Sequence, residues 1–184
     1  MQINYANAHL PGLYLKKMKV KKGKHVFKPL RTRLYINPRT LFIGAIFGQE
    51  AVYDHNTPDQ QDWIKGAGLS FNLFTNHRRS AMYGWRWNPK TTRFEFTDYI
   101  HDGKKIVKET QIFSVHPGEP LSVFIYFKPG LIFYKFMSND RSLSYFVPVK
   151  FKPGFLGRRI GAYFGGNLPA PRNLEFTEYQ NQVQ

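Results

Sequence analysis

Alternation of apolar and polar residues with a period of two dominates the chain, and it predicts β-strands rather than helices. In residues 13–22, Met18 and Val20 alternate with lysines. Residues 41–48 are continuously apolar, as in a strand covered on both faces. Residues 81–88 alternate again, with aromatic side chains on one face. The pattern therefore predicts a protein built from strands.

Turn signals separate these runs at short intervals. The Asp-Gly pair at 102–103 is typical of a two-residue hairpin, and Pro-Gly pairs at 117–118 and 129–130 mark two more turns. Residues 58–66 alone favour a short turn of helix, which begins near a proline. Roughly ten to twelve strands without a helical crossover predict an all-β, antiparallel β-sandwich or barrel.

The chain is predicted to form one domain. Its 184 residues suit a single core, and no shift in composition marks a second one. We expect a lead-in at residues 1–12, the β-sandwich domain at 13–179 and a polar tail at 180–184. The first residues lack the apolar core of a signal peptide, and no window approaches the ~18 apolar residues of a membrane span. We therefore expect cytoplasmic synthesis without a secretion signal, followed by possible incorporation in a virion.

Positive charge is concentrated near the start of the chain. The formal net charge is +15, and residues 1–49 hold ten of the 27 Lys and Arg residues but no Asp or Glu. Such a basic arm favours a polyanion, non-specifically bound nucleic acid or an acidic partner surface. Lysines on an edge strand that block aggregation are the alternative. The predicted polyanion-binding or partner-binding residues are Lys16, Lys17, Lys19, Lys21, Lys22, Lys24, Lys28, Arg31 and Arg33.

A second group of residues mixes aromatic and basic side chains between positions 76 and 87. Aromatic rings stack on sugars or bases, and arginine adds contacts to anionic groups. In the alternative interpretation, Trp85 and Trp87 line the core and Arg86 lies on the exposed face. The predicted ligand-binding residues are Asn76, His77, Arg78, Arg79, Trp85, Arg86 and Trp87, together with Asn167 in a loop at the rim.

Three stretches resemble known proteins. The ending GRRIGAYFGGNLPAPRNLEF (157–176) and the centre GLSFNLFTNHRRSAMYGWRWNPKTTRFEFTDYIHDGKK (68–105) resemble strands of concanavalin A-like jelly rolls, a superfamily of lectins, glucanases and lyases. The opening KKMKVKKGKHVFKPLRTRLYI (16–36) is similar to the start of small uncharacterised bacteriophage proteins. The resemblance implies a concanavalin A-like jelly-roll sandwich, with a function that the fold does not specify.

The chain lacks the catalytic motif that the glucanases of this superfamily carry. Family-16-type glucanases carry E-x-D-x-x-E on one strand, and this chain has no E-x-D. Glu95 and Asp98 are three positions apart, so a regular strand points them to opposite faces. We therefore expect no enzyme, no cofactor and no metal site. Residues 54–62 hold Asp, Asn and His side chains, and their sequence leaves calcium binding open.

The glycines of residues 157–166 do not match a phosphate-binding loop. A dinucleotide loop needs G-x-G-x-x-G before a helix, whereas here the spacing differs and two prolines follow. We expect a strand that ends in a Gly-Gly corner, where glycine supplies a positive φ. Residues 173–179 are then the closing strand.

Three hypotheses about function follow. The first is a non-catalytic binding or structural module, such as a phage virion-type component that docks on other proteins or on an anionic polymer. The second is a lectin-like carbohydrate-binding protein that uses the concave sheet and the rim loops. The third, which has the least support, is an enzyme that acts on glycans.

Overall fold

A computed structural model describes residues 14–29, 32–75 and 78–183, and it confirms the predicted antiparallel β-sandwich. The described residues form thirteen strands. They are β1 (Tyr14–Val20), β2 (Leu34–Ile36), β3 (Thr40–Ile46), β4 (Ile64–Ser70), β5 (Arg79–Asn88), β6 (Arg93–Asp102), β7 (Lys105–Lys108), β8 (Phe113–Val115), β9 (Pro120–Lys128), β10 (Leu131–Ser138), β11 (Arg141–Pro148), β12 (Leu156–Ile160) and β13 (Leu174–Val183).

The strands form two sheets. The six-stranded sheet has the order β1-β13-β3-β9-β10-β11, so the first and last strands lie side by side. The seven-stranded sheet has the order β2-β12-β4-β5-β6-β7, and β8 pairs with β6. Every pairing is antiparallel.

The core lies between the two sheets and is rich in aromatic rings. Phe47 stacks on Phe176 with ring centroids 4.6 Å apart, and it also packs on Trp85 at 4.7 Å. In β9 and β10 every second side chain is buried, as a period of two requires. The aromatic share of the composition is therefore used mainly to fill the core.

Some predicted bounds need correction. The strand predicted at 68–74 is β4, and it ends at Ser70 because the side chain of Asn72 accepts backbone hydrogen bonds that turn the chain. β13 continues to Val183 and pairs with β3 on both sides of a register shift between Gln180 and Gln182, so the last strand extends into the segment 180–184 that was predicted as a polar tail. The apolar run 41–48 was predicted to be covered on both faces. In β3 the side chains on the inner face are buried, whereas Phe42 and Ile46 on the outer face are only partly buried.

Short backbone pairings close one side of the sandwich. Lys19 pairs with Lys28, Val26 pairs with Tyr163, and Tyr163 pairs with Lys65 of β4. This ladder leads from the edge of the six-stranded sheet to the seven-stranded sheet. It places the segment after β12 beside the basic segment after β1.

Helical structure is limited to two 3₁₀ turns in the described residues, Gln49–Ala51 and Pro58–Gln61. The second confirms the short turn predicted at residues 58–66. No helix in this part of the chain is long and apolar enough to cross a membrane.

Candidate functional site

A groove of about 590 Å³ lies on the outer face of the seven-stranded sheet. β5 and β6 form part of its floor, because Met82 and Tyr99 are paired across these strands and point away from the core. We call it the Tyr163 groove. The residues that characterise it are Lys65, Met82, Tyr99, His101, Arg158 and Tyr163.

The ring of Tyr163 is held in place from two directions. Its backbone N–H donates to the Lys65 carbonyl at 2.8 Å, and the Lys65 N–H donates to the Tyr163 carbonyl at 2.9 Å. The ring stacks on His25 with centroids 5.2 Å apart and an angle of 8° between the planes. His25 is fixed in turn, since its Nδ1 lies 2.9 Å from the Phe164 carbonyl oxygen and donates to it. With 39% of its surface exposed, Tyr163 presents a fixed aromatic surface to solvent.

Lys65 brings a positive charge into the groove. Its ammonium lies 5.3 Å from the ring centroid of Tyr99 and 5.7 Å from that of Tyr163, so both rings contribute cation–π attraction. Burial lowers the pKa of Lys65. Burial, followed by the negative charge of Asp62, raises the pKa of Tyr99. An anionic group in the groove would restore to Lys65 part of the stabilisation that water provides.

A second groove of about 880 Å³ adjoins the first, and the two share Val26 and Tyr163. We call it the lysine groove. Its basic lining residues are Lys17, Lys19, Lys21, Lys24, His25 and Lys28. β1 is the edge strand of its sheet and its buried Met18 and Val20 face the core, so Lys17 and Lys19 point outwards as the alternation predicted.

One carboxylate faces the lysine groove from β13. The two oxygens of Glu175 lie 2.9 Å from Lys17 Nζ and 2.9 Å from Lys19 Nζ. Hydrogen bonds from Lys19 and then Lys17 lower the pKa of Glu175, and the bond to Glu175 raises the pKa of Lys17. Glu175 therefore stays ionised and offsets one of the positive charges.

The tryptophans predicted to contact a ligand lie in the core. Trp85 is 0% exposed and Trp87 is 8% exposed, so neither ring can stack on a ligand. That prediction is wrong, and the alternative that these rings line the buried face is confirmed. The reason is that Trp85 packs on Phe176 of the opposite sheet and on Phe47, which directly follows β3 of that sheet.

Arg86 lies on the outer face of β5, as expected, but its polar atoms are engaged within the protein. Its Nε is 2.7 Å from Glu95, its Nη1 donates to the Gln61 carbonyl at 2.8 Å, and its guanidinium lies 4.2 Å above the ring of Trp63. These contacts link Arg86 to β6 and to the segment before β4, and Arg86 does not line either groove.

Of the remaining predicted ligand-binding residues, those that the structure describes do not line either groove. Asn76 and His77 lie outside the described residues. Arg78 and Asn167 are exposed, and Arg79 donates to the Lys152 carbonyl at 2.6 Å. Among the predicted polyanion-binding residues, Arg31 also lies outside the described part, whereas Lys16, Lys22 and Arg33 are described but do not line the lysine groove.

The two carboxylates considered for catalysis point to opposite faces, as their spacing predicted. Glu95 lies on the outer face and accepts hydrogen bonds from Arg86 and Asn88. Asp98 points into the sandwich, where Tyr145 Oη donates to it at 3.0 Å. Glu95 and Asp98 therefore have structural partners and do not form a catalytic pair.

Several polar groups of the acidic loop at residues 54–62 make hydrogen bonds within the protein. Asp54 accepts from the Asn56 N–H at 2.7 Å, and Gln60 donates to the Trp87 carbonyl at 2.9 Å. Within the described ranges, no group of three or more His, Asp or Glu side chains could hold a metal ion.

The Gly-Gly corner predicted after β12 shapes the end of the Tyr163 groove. Gly166 has a φ of +82°, which confirms the predicted left-handed conformation. A Cβ at Gly165 would lie 2.4 Å from the Trp63 carbonyl oxygen, so close backbone packing requires glycine there. Both glycines line the groove.

Sequence reasoning missed four central residues of the site: His25, Lys65, Tyr99 and Tyr163. Each stands in a stretch that was assigned to a strand, a turn or the basic arm. The position of Tyr99 on the outer face of β6, two residues before His101, was the one available signal. Lys65 and Tyr163 meet through a single-residue bridge, and His25 contacts the Tyr163 ring and the Phe164 carbonyl, so no periodic pattern marks these three residues.

Sequence comparisons identify no relative. No protein-family model matches the chain, and no curated protein is significantly similar to it. The resemblance of residues 16–36 to phage proteins therefore stays a hypothesis.

Solved structures share the fold. A functionally unknown protein from Saccharomyces cerevisiae has a TM-score of 0.56 at 7% identity, over 92% of this chain and 87% of that one. LamAcat from Zobellia galactanivorans has a TM-score of 0.51 at 10% identity, over 92% and 77% of the two chains. A xylan β-1,4-xylosidase from Bacillus halodurans has a TM-score of 0.51 at 8% identity, over 83% of this chain and 29% of the enzyme. The predicted concanavalin A-like jelly roll is confirmed, and at these identities the similarity concerns the fold alone.

Proposed function

We propose that this protein is a non-catalytic binding module that holds a carbohydrate chain in the Tyr163 groove. The observation that carries the proposal is the half-exposed ring of Tyr163, fixed between the His25 ring and the backbone of Lys65. A pre-formed aromatic surface can stack on the apolar face of a sugar without losing conformational entropy on binding.

The surroundings of this ring also suit a sugar ligand. The groove volume lies within the range of about 300–1,000 Å³ typical of ligand sites, and polar groups of Lys65, His101 and Arg158 surround the apolar floor. A xylan β-1,4-xylosidase shares this fold over 29% of its own chain, which supports a carbohydrate ligand by analogy of fold alone.

The lining of the grooves favours binding over hydrolysis. Glycoside hydrolysis needs two carboxyl groups across the scissile bond, at separations of about 5 to 9.5 Å. Among the described residues, those that line the Tyr163 groove include no Asp or Glu, and the lysine groove is faced by Glu175 alone, whose two oxygens are paired with Lys17 and Lys19. Cationic and aromatic side chains bind and orient a chain, but they do not provide that pair.

Calorimetry with soluble polysaccharides tests the proposal. We expect binding by the unchanged protein and about a tenfold weaker affinity for Tyr163→Ala, because one stacking contact is worth roughly 1.4 kcal/mol. Tyr126→Ala, on the outer face of the opposite sheet, is the matched control. Equal affinities for the two variants would refute the groove, and release of reducing ends from the bound polysaccharide would refute the non-catalytic role.

A second candidate function, docking on other proteins of a virion-type assembly, is favoured by the opposite face of the sandwich. There Tyr126, Phe133 and Phe146 form a row across β9, β10 and β11, and Phe146 is 54% exposed. Strands β3, β9, β10 and β11 contain no Asp or Glu. Exposed aromatic patches of this kind mark interaction surfaces.

Lysine footprinting distinguishes this second function. Lys135 lies two residues after Phe133 on β10, on the same face of the sheet as the aromatic row. Docking through this face would therefore protect its amine from acetylation in the assembled particle. Lys104, in the exposed hairpin between β6 and β7, is the control. Equal acetylation of both lysines in the free and assembled protein would contradict docking through this face.

A further inference from the structure

The lysine groove carries positive charge that the described residues do not neutralise. Glu175 pairs with Lys17 and Lys19. Lys21, Lys24 and Lys28 have no carboxylate within 4.0 Å in the described part of the chain, and all three are exposed. Like charges gathered in one groove repel one another unless an anion lies between them.

The position of these lysines relative to Tyr163 is specific. The side chain of Tyr163 lines both grooves, with Lys65 and Arg158 in one and Lys24 and Lys28 in the other. A sugar stacked on this ring would therefore have cations ahead of it and behind it along the same chain. The short ladder through Val26 and Lys65 fixes the two grooves relative to each other.

We propose that the ligand is an acidic polysaccharide that runs through both grooves. One sugar unit stacks on Tyr163, and the carboxylate or sulfate groups of neighbouring units contact Lys21, Lys24 and Lys28. This inference rests on the proposed function, because it places the same chain on Tyr163. It adds that the ligand is anionic and that the lysine groove selects for its charge.

A flexible polymer with spaced anionic groups fits this arrangement. The cations lie on two sides of a single aromatic ring, whereas a single-stranded nucleic acid is typically bound on a series of stacking rings along a basic groove. The exposed lysines keep mobile ammonium groups, which can follow carboxylates or sulfates at different spacings.

Affinity measurements with four probes test the inference. The probes are polygalacturonate, heparin, neutral xylan and a 20-nucleotide thymidine oligomer. The variants are Lys24→Gln/Lys28→Gln, Tyr163→Ala and the control Lys104→Gln/Lys105→Gln, which removes two charges from the exposed β6–β7 hairpin.

We expect polygalacturonate or heparin to bind most tightly. Lys24→Gln/Lys28→Gln should weaken that binding at least tenfold and reduce the slope of log affinity against log salt by roughly two, through the release of about two fewer counterions. The control should bind like the unchanged protein. Polygalacturonate has carboxylates only, whereas heparin has both carboxylates and sulfates. Binding of polygalacturonate would therefore show that carboxylates suffice, and binding of heparin alone would show that sulfate is required.

Different results separate the two proposals. If xylan binds as tightly as the acidic polymers, and Lys24→Gln/Lys28→Gln has no effect, the charge selection is refuted while the carbohydrate site stands. If Tyr163→Ala leaves all affinities unchanged, the proposed function fails, and the inference fails with it. Tighter binding of the thymidine oligomer than of either acidic polysaccharide would also overturn the inference.

Discussion

Tyr163 and Lys65 exchange two backbone hydrogen bonds, of 2.8 and 2.9 Å, and the Lys65 ammonium lies 5.7 Å from the centre of the Tyr163 ring. The same contact thus fixes an aromatic surface and places a partly buried cation beside it. Burial of that cation destabilises the folded protein, whereas an anionic ligand would be attracted more strongly to a cation that has lost part of its water. Lys65 is therefore a residue at which stability and binding should change in opposite directions.

Replacing Lys65 by methionine should stabilise the free protein at neutral pH. Burial lowers the pKa of Lys65, so the unfolded chain binds more protons than the native state between that lowered pKa and 10.5. The charged form destabilises the native state below this range, and the destabilisation is relieved as pH rises through it. Chemical denaturation should show a larger free energy of unfolding for Lys65→Met than for the unchanged protein at pH 7. The difference between the two proteins should be smaller at pH 10.5.

The exposed Lys104→Met is the control for the Lys65 experiment. It should change the free energy of unfolding little at either pH, because its side chain stays in water. A lower stability for Lys65→Met at pH 7 would mean that the cation–π contacts with Tyr99 and Tyr163 outweigh the desolvation of the ammonium.

Gly165→Ala should destabilise the corner that carries Tyr163. The added Cβ would lie 2.4 Å from the Trp63 carbonyl oxygen, a backbone atom that cannot rotate away, and overpacking of this kind costs about 1–3 kcal/mol. Gly154→Ala is the matched control, because its nearest atom would be 3.4 Å away. Thermal unfolding of the two variants measures the difference, and equal melting temperatures would contradict the close packing.

The strand content could be predicted because each hairpin is encoded locally. The turns at Gly103, Gly118 and Gly130 all have positive φ, at the positions where the sequence placed glycine. The pattern also showed that Trp85 and Arg86 face opposite ways. It could not show which of those faces is the core, because a period of two leaves the two sides of a sheet equivalent until the partner sheet is known.

The grooves could not be predicted because their residues meet only through the closing ladder. Val26, Lys65 and Tyr163 come from three distant parts of the chain and pair through single bridges. The lysines were visible in the sequence as a charge run. Their relation to an aromatic ring depends on how residues 24–28 fold over the edge of the sandwich, and no local pattern encodes that.

Glu175→Gln should strengthen the binding of an acidic polysaccharide. Glu175 forms ion pairs with Lys17 and Lys19 at 2.9 Å each. Its lowered pKa keeps the carboxylate ionised at pH values where an ordinary glutamate would begin to take up a proton. Removal of this carboxylate frees two lysines for the ligand and raises the net charge of the groove by one. Titration with polygalacturonate or heparin should show a higher affinity and a steeper salt dependence.

Glu119→Gln is the matched control for Glu175→Gln. Glu119 pairs with Arg141 at 2.6 Å, on β11 at the far edge of the six-stranded sheet, so the same change in net charge occurs away from both grooves. A similar gain in affinity for both variants would show that overall charge, and not the lysine groove, determines binding.

The buried ion pair between Arg159 and Glu178 links the two sheets, and its disruption should be costly. Their side chains are 2% and 8% exposed, and Arg159 Nε and Nη1 have no hydrogen-bond partner among the described residues. Arg159→Met or Glu178→Leu alone should cost about 3–5 kcal/mol, because each leaves a buried charge without its counterion. The double variant should recover much of that loss, since two apolar side chains need no partner. Denaturant unfolding of the four proteins measures the coupling, and additive losses would show that the two charges do not stabilise each other.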